Sequence, residues 1–115
     1  MKTPGPDHPI TITPTSGRVV VLAAGKNVAD TREALSLKEA SYPPVQYFPR
    51  KDVDMAQFTR SAHTTHCPYK GDASYYSLPG IENVAWSYEQ PFPAMAEIAG
   101  HLAFYPDRVE GIEIG

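Results

Sequence analysis

Apolar positions along this chain come in short bursts, many alternating with polar residues and most ended by proline or glycine. Ile10-Thr11-Ile12-Thr13 alternates strictly and is β-branched throughout, the pattern of a short strand. Ser16-Gly17 is a turn signal. Residues 18–23 form a near-continuous Val-rich run, which predicts a strand buried on both faces. Gly25-Lys26-Asn27 turns the chain, and residues 28–31 return it as a hairpin. Residues 32–40 contain good helix formers, yet Leu35 and Leu37 alternate with Ser36 and Lys38, which predicts a strand. Pro43-Pro44 stops that strand. Residues 45–48 then read as another, β-branched and aromatic.

The second half follows the same grammar. Pro49 opens a helical turn, with Asp52 a candidate N-cap and Met55 and Phe58 on one face. Residues 73–78 and 84–88 are aromatic strands separated by a Pro79-Gly80 turn. Strand periodicity puts Val84, Trp86 and Tyr88 on one face, and Trp86 is expected to be largely buried. Pro91 and Pro93 introduce a short helix with Met95 and Ile98 inward and Gly100 as its left-handed stop. Residues 102–105 and 109–114 predict a final hairpin around Pro106-Asp107. The sum is about eight short strands and a pair of helical turns, a mainly β sandwich or barrel. Residues 1–9 form an extended arm, because each proline disfavours the α region before it. Residues 10–115 are expected to be a single domain.

Composition sharpens this picture. A chain of 115 residues suits one core, and 42% hydrophobic with 20% charged residues describes a soluble globular protein. Twelve prolines leave little room for long helices. No apolar run approaches the ~20 residues of a membrane span, and the N-terminal residues lack a signal-peptide pattern. The net charge of −3, with signs mixed along the chain, argues against a nucleic-acid partner. A single cysteine excludes an internal disulfide and a four-cysteine zinc site. It fits a reducing compartment, so a cytoplasmic location is expected.

Candidate chemistry concentrates in Thr64-Thr65-His66-Cys67-Pro68-Tyr69-Lys70-Gly71-Asp72-Ala73-Ser74-Tyr75-Tyr76. Cys67 could act as a nucleophile if His63 or His101 were brought beside it; a packed, inert cysteine is the commoner outcome. His63, His66 and His101 could ligate a metal, but structural zinc usually needs paired motifs, and no metal or other cofactor is expected. Asp52 and Asp54 would share a face only in a strand. No glycine-rich phosphate loop follows any strand. Gly71 permits a tight turn that projects Lys70 over the aromatic strand. There it could bind an anion, meet the inward acid Glu39 or point to water. Tyr47, Tyr69, Tyr75, Tyr76, Trp86 and Tyr88 suit a pocket wall, or equally a core with a dimer patch.

Several of these blocks together resemble a family. Pro4-Gly5-Pro6-Asp7-His8-Pro9-Ile10, Glu39-Ala40-Ser41-Tyr42-Pro43-Pro44-Val45 and Tyr47-Phe48-Pro49-Arg50-Lys51-Asp52-Val53 resemble its first half. Cys67-Pro68-Tyr69-Lys70-Gly71-Asp72-Ala73 with Tyr75, Trp86-Ser87-Tyr88-Glu89 and Ile98-Ala99-Gly100-His101-Leu102-Ala103-Phe104-Tyr105 resemble its second. The family is domain of unknown function four-two-seven, whose label borrows the name nucleotidyltransferase. The resemblance implies a β-tent-like fold, two small antiparallel sheets packed at an angle. Relatives of that fold include methionine sulfoxide reductases and the ligand-binding domain of cereblon, many with a zinc knuckle of paired cysteines. With Cys67 alone, the zinc and the thiol chemistry do not carry over. The nucleotidyltransferase label finds no support in the residues.

The functional expectation is a β module that binds a small molecule or a modified side chain in an aromatic cleft. Glu39, Tyr47, Cys67, Lys70, Tyr75, Trp86 and Tyr88 are its candidate residues, and Glu39 and Lys70 are expected to meet beside Tyr47 and Tyr75. Two alternatives stand beside it. One is an enzyme using Cys67 or a Glu39–Lys70 acid–base pair. The other is a structural homo-oligomeric subunit, a homodimer for example, with the aromatics in its interface.

Overall fold

Proline and glycine cut the chain into ten short strands joined by turns, four of them single 3-10 elements. The computed structural model describes all of residues 1–115. The strands are β1 (Ile10–Pro14), β2 (Val19–Ala23), β3 (Lys26–Thr31), β4 (Leu35–Glu39) and β5 (Val45–Tyr47), then β6 (Thr59–Cys67), β7 (Gly71–Leu78), β8 (Ile81–Ser87), β9 (Leu102–Phe104) and β10 (Gly111–Ile114). The 3-10 turns span Arg50–Asp52, Met55–Gln57, Pro93–Ile98 and Pro106–Arg108. The mainly β fold without a long helix matches the sequence expectation.

The strands form three antiparallel sheets, ordered β1-β4-β5, β10-β2-β3 and β6-β7-β8-β9, and none closes into a barrel. The four-stranded sheet is the middle layer. On one face Tyr76, Leu78, Ala85, Leu102 and Phe104 pack against Val19, Val21, Val28 and Ala29 of the β10-β2-β3 sheet. On the other, Ala73, Tyr75 and Ala103 pack against Leu37 and Tyr47 of the β1-β4-β5 sheet, with Met95 and Ile98 alongside. Residues of β7 and β9 thus sort between two cores by strand alternation. A bridge ties two layers edge to edge: Phe48 and Leu102 exchange N–H···O bonds of 2.7 and 2.9 Å.

Four expectations need correction. First, β6 was not anticipated as a strand. It lies at the edge of its sheet and is largely exposed, so it carries no apolar alternation. Second, β9 and β10 do not pair. β9 joins β8, while β10 joins the Val-rich β2, where Ile112 lies opposite Val21. Third, Asp52 caps nothing; its carboxylate accepts from Thr31 Oγ1 at 2.7 Å and ties the 3-10 turn to β3. Fourth, Val84 belongs to the core opposite that of Trp86 and Tyr88. The preceding Asn83 has a left-handed φ of +50°, and the β7–β8 register shifts between Tyr76 and Leu78, so simple alternation fails there. Met95 and Ile98 are buried, and Gly100 is left-handed (φ +73°), as expected.

Candidate functional site

The β4 alternation places Leu35, Leu37 and Glu39 on one face, and Leu35 and Leu37 join the second core. Leu35 lies opposite Tyr47 across the β4–β5 ladder. In the middle sheet Tyr75, Trp86 and Ala103 form one cross-strand row. Tyr88 follows β8, and Tyr105 follows β9. These elements frame an open cleft of about 500 Å³. Glu39, Tyr47, Lys70, Tyr75, Trp86 and Tyr88 all line it, with Leu37, Tyr42, Pro43, Pro44, Val45, Tyr105 and Pro106. A second basin of about 460 Å³ adjoins it, sharing Pro44, Val45, Trp86 and Pro106 and adding Gln46, Phe104, Ile112 and Ile114.

The aromatic wall is mutually fixed. Trp86 packs on Tyr105 with centroids 4.6 Å apart and meets Tyr47 edge-on at 6.4 Å. Its indole N–H donates to the Tyr47 hydroxyl at 3.2 Å. The Tyr75 hydroxyl is bonded to Thr65 at 2.9 Å and receives Tyr105 at 3.4 Å. Trp86 is half-buried rather than sealed in the core, because one side of the ring faces the cleft.

The polar part of the cleft is an ion pair. Gly71 takes φ +111°, a conformation that favours glycine, and turns the chain so that Lys70 lies inward, 6% exposed. Lys70 Nζ donates to Glu39 Oε1 and stands 5.9 Å from the Tyr88 ring centroid. The other carboxylate oxygen, Oε2, is bonded to His8 Nε2 at 2.7 Å. Burial works against the Glu39 charge, but the hydrogen bonds and charges of Lys70 and His8 outweigh it and hold the carboxyl below its usual range. Burial pushes the phenols of Tyr47 and Tyr88 well above their ordinary range, and that of Tyr105 up to about 12.

His8 escaped the sequence reading, because its role depends on a partner 31 residues away. The arm that carries it folds over the β6–β7 turn. Lys2 N–H donates to the Pro68 carbonyl at 2.7 Å, residues Gly5 and His8 close a tight turn, and His8 stacks on Tyr69 at 4.1 Å. Tyr42, Pro43, Pro44, Tyr105 and Pro106 were missed for another reason: they flank turns, where proline reads as punctuation rather than as wall.

Cys67 is the one candidate outside the lining. Its Sγ lies 3.7 Å from Lys70 Nζ, behind the ion pair, and no histidine hydrogen-bonds it. The histidines do not converge. His63 packs on Tyr75 at 4.5 Å, His66 bonds Asp72 at 2.7 Å, and His101 contacts the Ala99 carbonyl. No group of three or more His, Cys, Asp or Glu side chains is arranged to hold a metal ion.

A second polar cluster occupies the opposite face of the middle sheet. Glu89 Oε2 accepts from Tyr76 at 2.8 Å and from Arg50 at 3.1 Å, and the Arg50 guanidinium lies over the Tyr76 ring at 5.4 Å. Burial opposes the Glu89 charge, yet the Tyr76 bond and the guanidinium groups of Arg60 and Arg50 keep the carboxyl low. Arg50 also donates to the Gly100 carbonyl at 3.1 Å, so the cluster ties the Arg50–Asp52 turn to the loop before β9. This arrangement explains itself as structural.

Fold and site together define a small, mainly β protein built around an aromatic cleft with an internal ion pair. The chain belongs to the family described as Domain of unknown function (DUF427), whose model matches residues 11–115. No curated protein matches it. No helix is long and apolar enough to cross a membrane.

Proposed function

We propose that this protein binds a small molecule or a modified side chain in the cleft between β4, β5, β7 and β8. The observation that carries this is the union of an open, largely apolar concavity with a charged pair that the protein keeps inside it. Ligand sites combine apolar and aromatic walls with a few placed polar groups. Ionisable groups held in partly dry clefts are a further mark of such sites. The aromatics also surpass what the second core needs, since Trp86 and Tyr105 remain partly open to the cleft.

An amide-detected NMR fragment screen tests the proposal. Flat aromatic fragments are expected to shift residues of β4, β5 and β8, together with the indole N–H of Trp86, the protein's single tryptophan. Trp86→Ala should abolish those shifts while leaving the remaining spectrum dispersed. Fragments that map only elsewhere, or none that bind, would sink the proposal.

A further inference from the structure

Resting on the cleft as a binding site, we propose that its ligand is a flat, uncharged molecule that presents a carbonyl-type oxygen to Tyr47 and Tyr88. The unused hydrogen-bonding capacity of the site points this way. Tyr88 is 8% exposed and lines the cleft. No protein group hydrogen-bonds its hydroxyl, yet no fully sealed side-chain polar atom lacks a partner, so that hydroxyl opens into the cleft. The Tyr47 hydroxyl accepts the Trp86 N–H, and its own proton has no protein acceptor. The nearby acceptor is turned to other partners: Lys70 bonds one oxygen of Glu39 and His8 the other. Beside the Lys70 ammonium, whose charge already faces Glu39, the site offers a pair of O–H donors without protein acceptors.

Charge balance decides the rest. Lys70 already faces Glu39, so an anionic ligand finds no free counter-charge and meets a carboxylate. A cationic ligand finds that carboxylate already neutralised by Lys70 and meets the Lys70 ammonium. A neutral acceptor satisfies the buried hydroxyls without uncovering either charge, and leaving such groups unpaired is what costs most. Both phenols stay protonated through neutral pH, because burial raises them. The surrounding rings of Trp86 and Tyr105 suit a flat body.

The test uses probes that share one phenyl ring: acetophenone, ethylbenzene, benzoate and benzyltrimethylammonium. Each is titrated against the intact chain while the Trp86 indole N–H resonance is followed. Acetophenone should bind about tenfold tighter than ethylbenzene, the worth of one to two neutral hydrogen bonds. It should also outrank both charged probes. Tyr88→Phe, which removes a single oxygen, should cut the acetophenone advantage severalfold and leave ethylbenzene unchanged. Tyr47→Phe combined with it should bring the two to parity. A charged probe that binds best, or an advantage that survives in both variants, overturns the proposal while the cleft stands. If no probe moves the resonance, the cleft reading falls, and this one with it.

Discussion

At the scale of single residues, Glu39 shows how an acid is kept charged where burial disfavours it. Its carboxylate has a primary amine on one oxygen and an imidazole on the other. Because its folded pKa is lowered, the stabilisation it brings is fully present above the ordinary carboxylate value of about 4.3 and is lost as pH falls through the lower folded value. Glu39→Gln leaves Lys70 buried without its counter-charge. Removing one partner of a fully buried pair costs ~3–5 kcal/mol; the partial exposure of Glu39 lowers the expectation to roughly 1–3 kcal/mol at neutral pH. That gap should hold from about pH 7 down to about pH 5 and then shrink as urea unfolding is repeated toward about pH 3. A gap that stays constant across the series would mean that the pair contributes nothing through its charge.

At the scale of elements, legibility followed burial. Strands with one inward face, such as β1 and β4, declared themselves by alternation, and β2 did so by its Val run. β6 did not, because an exposed edge strand tolerates Thr and His on both faces and leaves no periodic signal. β10 was seen as a strand but given the wrong partner, since its pairing with β2 spans most of the chain and no local turn encodes it. The site was legible in part for the same reason. Inward alternation pointed to Glu39 and the density of aromatics to Tyr75 and Trp86, whereas their pairing in one row, His8 and the proline-flanked walls are assembled by long-range packing. The turn before β7 was readable from Gly71 alone, and it also yields a prediction. A methyl group at Gly71 would meet the backbone of Gln90–Phe92 at ordinary contact distances of 3.5 Å and more, so any penalty comes from φ +111°. Gly71→Ala should therefore cost ~1–3 kcal/mol, as residues forced into such backbone regions do. It should also loosen the Lys70–Glu39 contact. Thermal unfolding read beside the pH series of the variant checks both; an unchanged melting temperature would show that the turn relaxes freely.

At the scale of the molecule, the middle sheet is buried on both sides, and the cleft opens where its aromatic row passes the end of the β1-β4-β5 layer. Trp86 stands between two concavities there, the cleft with the ion pair and the apolar basin beyond it. The large hydrophobics left most exposed include Tyr42, beside the first, and Ile114, beside the second. Apolar surface displayed on both sides of one shared ring favours an elongated ligand over a compact one. If the cleft binds a flat head group, an alkyl chain pointing past Trp86 has Phe104, Ile112 and Ile114 to cover. Each methylene buried there contributes ~0.8 kcal/mol, close to fourfold in affinity. A series of para-alkyl acetophenones should thus tighten stepwise and then level off once the second basin is filled. Ile112→Ala should flatten that slope without weakening acetophenone itself, because Ile112 lines the second basin and not the first. Affinity independent of chain length would confine the ligand to the first basin and leave the apolar surface around Ile114 without a role in binding.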